Sequence, residues 1–282
     1  MKQKILITGG TGFVGKQLVQ ELYRRDVMLR LIVRKGKKNQ LPITQEKIEI
    51  VETNDLFSES VDWWKEQCEG IDTVLHLAWY AKPGKYLLSN LNTHCLHGSL
   101  NIAWGAIKAD VRRFVGVGTC FEYDLSVGVL SIETPLRPST PYAASKAALY
   151  FSLEHWLKNN GIEFSWCRLF YLYGKGEDSH RLVPFLRSRL EKGEPAELTS
   201  GNQIRDFLDV VDAAKMIADL TLSIQTGPVN ICSGLPITVR QLAEQIADEY
   251  GRRDLLVFGV RPDNIVDPPK VLGIPNLLSK NN

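Results

Sequence analysis

The sequence has no apolar run approaching the roughly 18 residues that a membrane-spanning helix requires, and its hydrophobic share of 44% is ordinary for a globular chain. No membrane association is expected. Surplus charge is nearly absent: 34 Lys and Arg stand against 32 Asp and Glu, a formal net charge of +2, too small for the electrostatic footprint of a nucleic-acid binder. The one dense basic stretch, Arg34-Lys35-Gly36-Lys37-Lys38, is short and local. Cysteine is sparse. Cys68, Cys95, Cys120, Cys167 and Cys232 are odd in number and form no CxxC pair, so neither a disulfide framework nor a zinc site is expected. His94 and His97 stand at i,i+3 spacing, but no carboxylate or cysteine pattern completes a metal site around them. The N-terminus runs directly into a strand-like segment without an apolar leader or a small-residue cleavage site. Together with the unpaired cysteines, this points to a reducing, cytoplasmic setting.

Short, nearly continuous apolar and β-branched runs recur at 5–8, 29–33, 48–51, 73–77, 114–117 and 164–169, as expected of strands buried on both faces. Helix-period segments lie between them at 12–25, 58–69, 90–109 and 141–160. This alternation predicts an α/β fold with a doubly wound parallel sheet. After Tyr173-Gly174-Lys175-Gly176 the texture changes to Pro- and Gly-punctuated helices near 181–192, 209–223 and 238–250, and the tail from Arg261 to Asn282 is loop-rich.

Thr8-Gly9-Gly10-Thr11-Gly12-Phe13-Val14-Gly15 follows the first strand and opens the first helix. In that position Gly9 permits a tight turn, Gly12 lets backbone approach a pyrophosphate, and Gly15 allows close helix-to-strand packing. Free N–H groups at the helix start attract the anion. Gly9, Thr11, Gly12, Phe13, Val14 and Gly15 are therefore candidate dinucleotide-binding residues. Residues 1–174 are expected to form a Rossmann domain that also carries the catalytic groups. Residues 175–282 are expected to form mainly a smaller substrate-binding region, some segments of which return to the sheet. The second strand ends at Arg34, where an acid would bind a ribose 2′-hydroxyl and a base would pair with a 2′-phosphate. With Lys35, Lys37 and Lys38 following and no carboxylate nearby, charge favours NADP, with NAD as the alternative.

Tyr142-Ala143-Ala144-Ser145-Lys146 begins a helical segment after Pro138 and Pro141, and i,i+4 spacing puts phenol and ammonium on one face. A nearby ammonium favours the phenolate, which suits the pair to acid–base work. The strand 114–118 ends at Thr119, at the sheet edge where such folds bind ligands, so its hydroxyl is the candidate for orienting a substrate oxygen. Asp55-Leu56 and His76-Leu77-Ala78-Trp79 follow other strands into the same crevice.

The order of these motifs, with Arg205-Asp206-Phe207 further on, resembles the extended short-chain dehydrogenase/reductases, and within them the NAD-dependent epimerase/dehydratase group. The resemblance spans nearly the whole chain. It implies a catalytic set of Thr119, Tyr142 and Lys146, with the lysine also holding the nicotinamide ribose. It implies adenine contacts from Asp55 and Leu56, and cofactor packing by Leu77 and Ala78, with Trp79 beside them. A nucleotide-diphosphate sugar is the implied substrate. Arg205 and Arg261 match positions that grip the diphosphate, a task suited to guanidinium forks. Tyr171 stands where the family often has Asn, and Cys120 lies at the sugar pocket. A homodimer through a four-helix interface, residues 90–109 and 141–160 of each copy, is also implied.

Dehydratases of this family carry Asp-Glu directly after the catalytic Thr, where this chain has Cys120 and Phe121. Glu122 lies one place further, and strand alternation would turn it to the other face. Dehydration is therefore disfavoured. The expected activity is NADPH-dependent reduction of a 4-keto nucleotide sugar. Its alternatives are a 4-epimerase with retained NAD and a non-catalytic NADP-binding regulator.

Overall fold

The computed structural model describes residues 2–43, 48–264 and 267–278; residues 265, 266 and 279–282 of the loop-rich tail lie outside the described residues. The first part of the chain runs β1 (Gln3–Thr8), α1 (Phe13–Tyr23), β2 (Val27–Arg34), β3 (Ile48–Thr53), α2 (Val61–Cys68), β4 (Thr73–His76), α3 (Leu91–Lys108) and β5 (Arg113–Thr119). It continues with β6 (Val129–Leu130), α4 (Pro141–Asn159), β7 (Glu163–Leu169), β8 (Tyr171–Tyr173), α5 (Leu182–Glu191) and β9 (Ala196–Glu197). Then come β10 (Ile204–Asp209), α6 (Val210–Thr221), β11 (Gly227–Ile231), β12 (Pro236–Thr238), α7 (Val239–Glu249), β13 (Leu256–Val257) and β14 (Lys270–Gly273).

Seven strands form one sheet in the order β11-β7-β5-β4-β1-β2-β3, with every neighbouring pair parallel. Successive side chains on a strand point to opposite faces, and both faces are apolar. Ile5 and Ile7 meet Leu18, Val19 and Leu22 of α1 and Ala213, Ala214 and Ile217 of α6. Leu6 between them meets the other layer, built from Trp64 of α2, Ile102 and Ala106 of α3, and Leu149 and Leu153 of α4. The sheet is thus the doubly wound parallel sheet expected from the strand–helix alternation.

The seventh strand, β11, comes from beyond residue 174, as does α6. Their neighbours are β7 and α1 respectively. The remaining later segments make a smaller layer, a sheet ordered β12-β10-β14-β6 with β8 on β10. Beside it, Val183, Leu186 and Leu190 of α5 share an apolar cluster with Leu242 and Ile246 of α7. The strand order changes direction between β1 and β4, and ligands bind at such a switch point, beyond the carboxyl ends of the strands. Among the described residues, no helix is long and apolar enough to cross a membrane. All five cysteines are free and buried.

Candidate active site

A cavity of about 670 Å³ opens at that switch point. One end is the turn after β1. Gly9 adopts φ +77° there, and a Cβ on it would lie 2.7 Å from the Ala78 amide nitrogen. A Cβ on Gly15 would lie 2.1 Å from the Gly9 carbonyl oxygen, so only glycine lets α1 approach the turn this closely. Gly12 caps α1 without any side-chain acceptor, which leaves the amides of the first turn to face the cavity. A cradle of bare backbone and unclaimed amides is what a dinucleotide pyrophosphate needs, and these residues fit it. Thr11, Phe13 and Val14 line the same end.

Arg34, at the end of β2, lines the cavity with Lys37 and Gln40. The carboxylate nearest in sequence register, Glu52 of β3, accepts instead from the Gly36 amide at 3.0 Å. Leu56 and Phe57 line the wall, whereas Asp55 does not. Its carboxylate is taken up by His94 Nε2 at 2.7 Å, Ser58 Oγ at 3.1 Å and the Phe57 amide at 3.1 Å; burial works to raise its pKa, but these bonds together hold it below the usual carboxylate range. Leu77, Ala78 and Trp79 line the cavity. His76 lies beneath them: Thr8 Oγ1 and Ser99 Oγ bond its two ring nitrogens at 2.7 and 2.8 Å. Burial lowers its pKa to about 3, so it is a neutral strut between strands and not a wall residue.

Thr119 ends β5, and the chain then turns at Cys120–Glu122 in a single 3-10 turn. The turn is a capping box in which the Thr119 hydroxyl accepts from the Phe121 amide and Glu122 accepts from the Thr119 amide at 2.8 Å. The expected strand alternation therefore does not apply to Glu122. Its carboxylate is fully buried under Thr119, taking Trp166 Nε1 at 3.0 Å and Arg168 Nε at 2.8 Å. Arg168 goes on to Tyr123, whose hydroxyl donates to Asn230 at 2.7 Å. Removing one partner from such a buried pair costs about 3–5 kcal/mol, so the floor under Thr119 is rigid. Cys120 and Phe121 line the cavity, and Glu122 does not.

Thr140 caps α4 by accepting from the Ala143 amide at 3.2 Å, and Pro141 occupies the first helical position. This start fixes Tyr142 in the first turn, where the Thr119 hydroxyl hydrogen-bonds the phenol and the Tyr86 ring meets it edge-on at 4.8 Å. Burial, then Tyr86 and Glu122, push the Tyr142 phenol well above its ordinary pKa. The phenol is held protonated. Lys146, one turn on, donates from Nζ to the Val117 carbonyl at 2.6 Å, and burial lowers its pKa to about 7. The expectation that its ammonium draws the phenol down is not met, because burial dominates and Lys146 is turned to β5.

Tyr171 lines the cavity, with its ring against Phe121 at 6.0 Å. Arg205 stands behind it, 5.3 Å from the Tyr171 ring, and pairs with Asp267 at 2.6 Å. Arg261 is exposed and lies over Phe185. Neither lines the cavity, in departure from the sequence reading: one is bound by an acid and the other rests on an aromatic face outside. Besides Arg34, the guanidinium that lines it is Arg181, with Glu177 and Asp178 beside it. Glu177 is raised by burial to about 6. Tyr86, Arg181 and Glu177 belong to no motif, and only the tertiary fold brings their loops to the cavity. Among the described residues no cluster of three or more metal-ligating side chains occurs, and His94 serves Asp55.

Residues 5–232 match the model of the NAD dependent epimerase/dehydratase family. The chain belongs to this family. It is thus an enzyme of the NAD-dependent, extended short-chain dehydrogenase/reductase kind that the motif order implies. Within the family, a dTDP-6-deoxy-L-talose 4-dehydrogenase (NAD(+)) of Aggregatibacter actinomycetemcomitans is 24% identical over 271 residues, covering 95% of this chain and 98% of that protein. A GDP-6-deoxy-D-talose 4-dehydrogenase of the same organism is 28% identical, covering 96% of this chain and 90% of that one. The fold is shared with the UDP-N-acetylglucosamine 4-epimerase from Methanobrevibacter ruminantium M1 in complex with UDP-N-acetylmuramic acid, at a TM-score of 0.86 and 24% identity over 98% of this chain and 90% of that one.

Proposed function

We propose that the protein reduces the 4-keto group of a nucleotide-diphosphate sugar, with NADPH as the preferred cofactor. The observation that carries this reading is the placement of the Tyr142 phenol, hydrogen-bonded by Thr119 at the edge of a cavity whose adjoining wall is Cys120 and Phe121. A phenol held protonated is the form that donates to a developing alkoxide. With Cys120 and Phe121 there and Glu122 buried, no carboxylate next to Thr119 serves as the acid or base for water elimination.

The nicotinamide, when bound, supplies the hydride. The chain supplies the rest. Thr119 and Tyr142 converge on the ketone oxygen and polarise it, the phenol proton passes to that oxygen as C4 gains its hydrogen, and the resulting phenolate is reprotonated from solvent, while Lys146 would hold the nicotinamide ribose, the role the family resemblance implies. The printed names of the two talose relatives describe oxidoreduction at C4, which is this reaction in the opposite sense. For NADPH the support is Arg34 and Lys37 at the cavity end near β2, two cations suited to a 2′-phosphate. The first relative's name specifies NAD(+), so cofactor choice is itself a point to measure.

The test offers NADPH or NADH and a series of 4-keto nucleotide-diphosphate sugars to the purified protein. Net NADPH oxidation is expected, with Tyr142→Phe slower by about 10²–10⁴-fold, the usual worth of a general acid. Near-normal turnover in Tyr142→Phe would sink the assignment. Interconversion of C4 epimers on a retained NAD, without net NADPH consumption, would replace it with the epimerase.

A further inference from the structure

We propose that Trp79, anchored by Asn92, is a positioning residue for Lys146, its indole face holding the lysine ammonium against β5. The Nζ atom lies 3.8 Å from the centroid of the Trp79 ring, while its hydrogen bond goes to the Val117 carbonyl. No ion pair to Lys146 occurs among the described residues. The groups around it are accounted for. Glu122, from the turn after β5, is committed to the Thr119 amide, Trp166 and Arg168. Cys95 of α3 is a thiol whose pKa burial raises, His76 of β4 is neutral, and Tyr142 on the same helix is a protonated phenol. The Trp79 indole, much closer than the Trp166 ring at 5.9 Å, adds to the attraction of the Glu122 carboxylate in favouring the charged over the neutral lysine, and such a contact is strongest where water is excluded.

The indole is not free to turn away. Its Nε1 donates to Asn92 Oδ1 at 2.8 Å. Asn92 is fully buried, and its own amide donates to the carbonyls of Tyr86 and Ser89 at 2.6 and 2.9 Å. One side chain therefore sets both the indole over Lys146 and the turn that carries Tyr86 against Tyr142. With burial having lowered the Lys146 pKa to about 7, the contact bears on how much of it is charged at working pH.

The geometric part of this inference is independent of the proposed reaction; its consequence for turnover rests on that reading. The test follows the Cε–Nζ signal of Lys146 by NMR in full-length protein carrying isotope-labelled lysine, assigned by its loss in Lys146→Arg. In Trp79→Leu the titration midpoint is expected to fall by about one pH unit. Trp79→Phe, which keeps an aromatic face, is expected to fall less. The alkaline limb of kcat should move to lower pH in step. An unmoved midpoint in folded Trp79→Leu overturns the proposal. If that variant does not fold, Asn92→Ala, which keeps the indole but frees it, is read in its place: a lowered midpoint supports the proposal and an unchanged one overturns it. Lys146→Ala with undiminished turnover would instead remove Lys146 from the proposed reaction, while the midpoints still judge the contact.

Discussion

Arg34 turns cofactor choice into a question of one charge. It is exposed and lines the cavity with Lys37, and the nearby Glu52 is engaged with the Gly36 amide. In Arg34→Asp the dissociation constant for NADPH is expected to rise tenfold or more, from the loss of a charge-assisted pair worth about 1.5–3 kcal/mol, while NADH binding is kept or improved. Fluorescence titration with both cofactors measures this, and equal effects on the two would contradict a 2′-phosphate contact. Other residues were readable only by type. Arg205 and Arg261 carry the right chemistry for a diphosphate, yet Asp267 and Phe185 claim them, and no linear pattern announces such partners. Arg181 reaches the cavity from the start of α5 without any motif to mark it.

At the scale of elements, the turn between β1 and α1 is a tight joint. A methyl on Gly15 has no room against the Gly9 carbonyl, and both ends of the clash are backbone. Gly15→Ala is expected to cost about 1–3 kcal/mol in urea unfolding and to abolish cofactor binding through displacement of the α1 start. A variant that binds as wild type would mean that the backbone yields there. The strands and the first helix could be read from the sequence because nearly continuous apolar runs mark β1 and β2 and a helical period marks α1. Cys120–Glu122 could not. Alternation treats Glu122 as the next strand residue, but Thr119 followed three residues later by Glu is also a capping box, and the buried Arg168 and Trp166 donors decide in favour of the turn. Likewise β14, with Lys270–Gly273 between β10 and β6, is too short and too close to Pro and Gly residues to show a period.

For the whole molecule, α3 and α4 lie side by side and leave Trp104 and Phe151 about half exposed, with the Trp104 ring 6.2 Å from Trp156. An apolar face of this kind suits a second copy across a two-fold axis, giving the four-helix interface that the family resemblance implies. We expect light scattering to report a dimer, and Trp104→Glu to shift it to monomer; a wild-type monomer would refute the arrangement. A different consequence follows from β11, which closes the large sheet on β7 although 57 residues separate the end of β7 at Leu169 from its start at Gly227. While the chain is being synthesised, β7 is an open edge with unpaired amides and carbonyls, and α1 lacks the covering side chains of α6. The seven-stranded sheet therefore cannot finish folding in the order in which it is made: α6 and β11 leave the ribosome after α5, β9 and β10, which belong to the smaller layer. A chain released between residues 174 and 226 keeps every residue of the glycine turn and of the Thr119, Tyr142 and Lys146 set, and still exposes the kind of strand edge on which proteins aggregate.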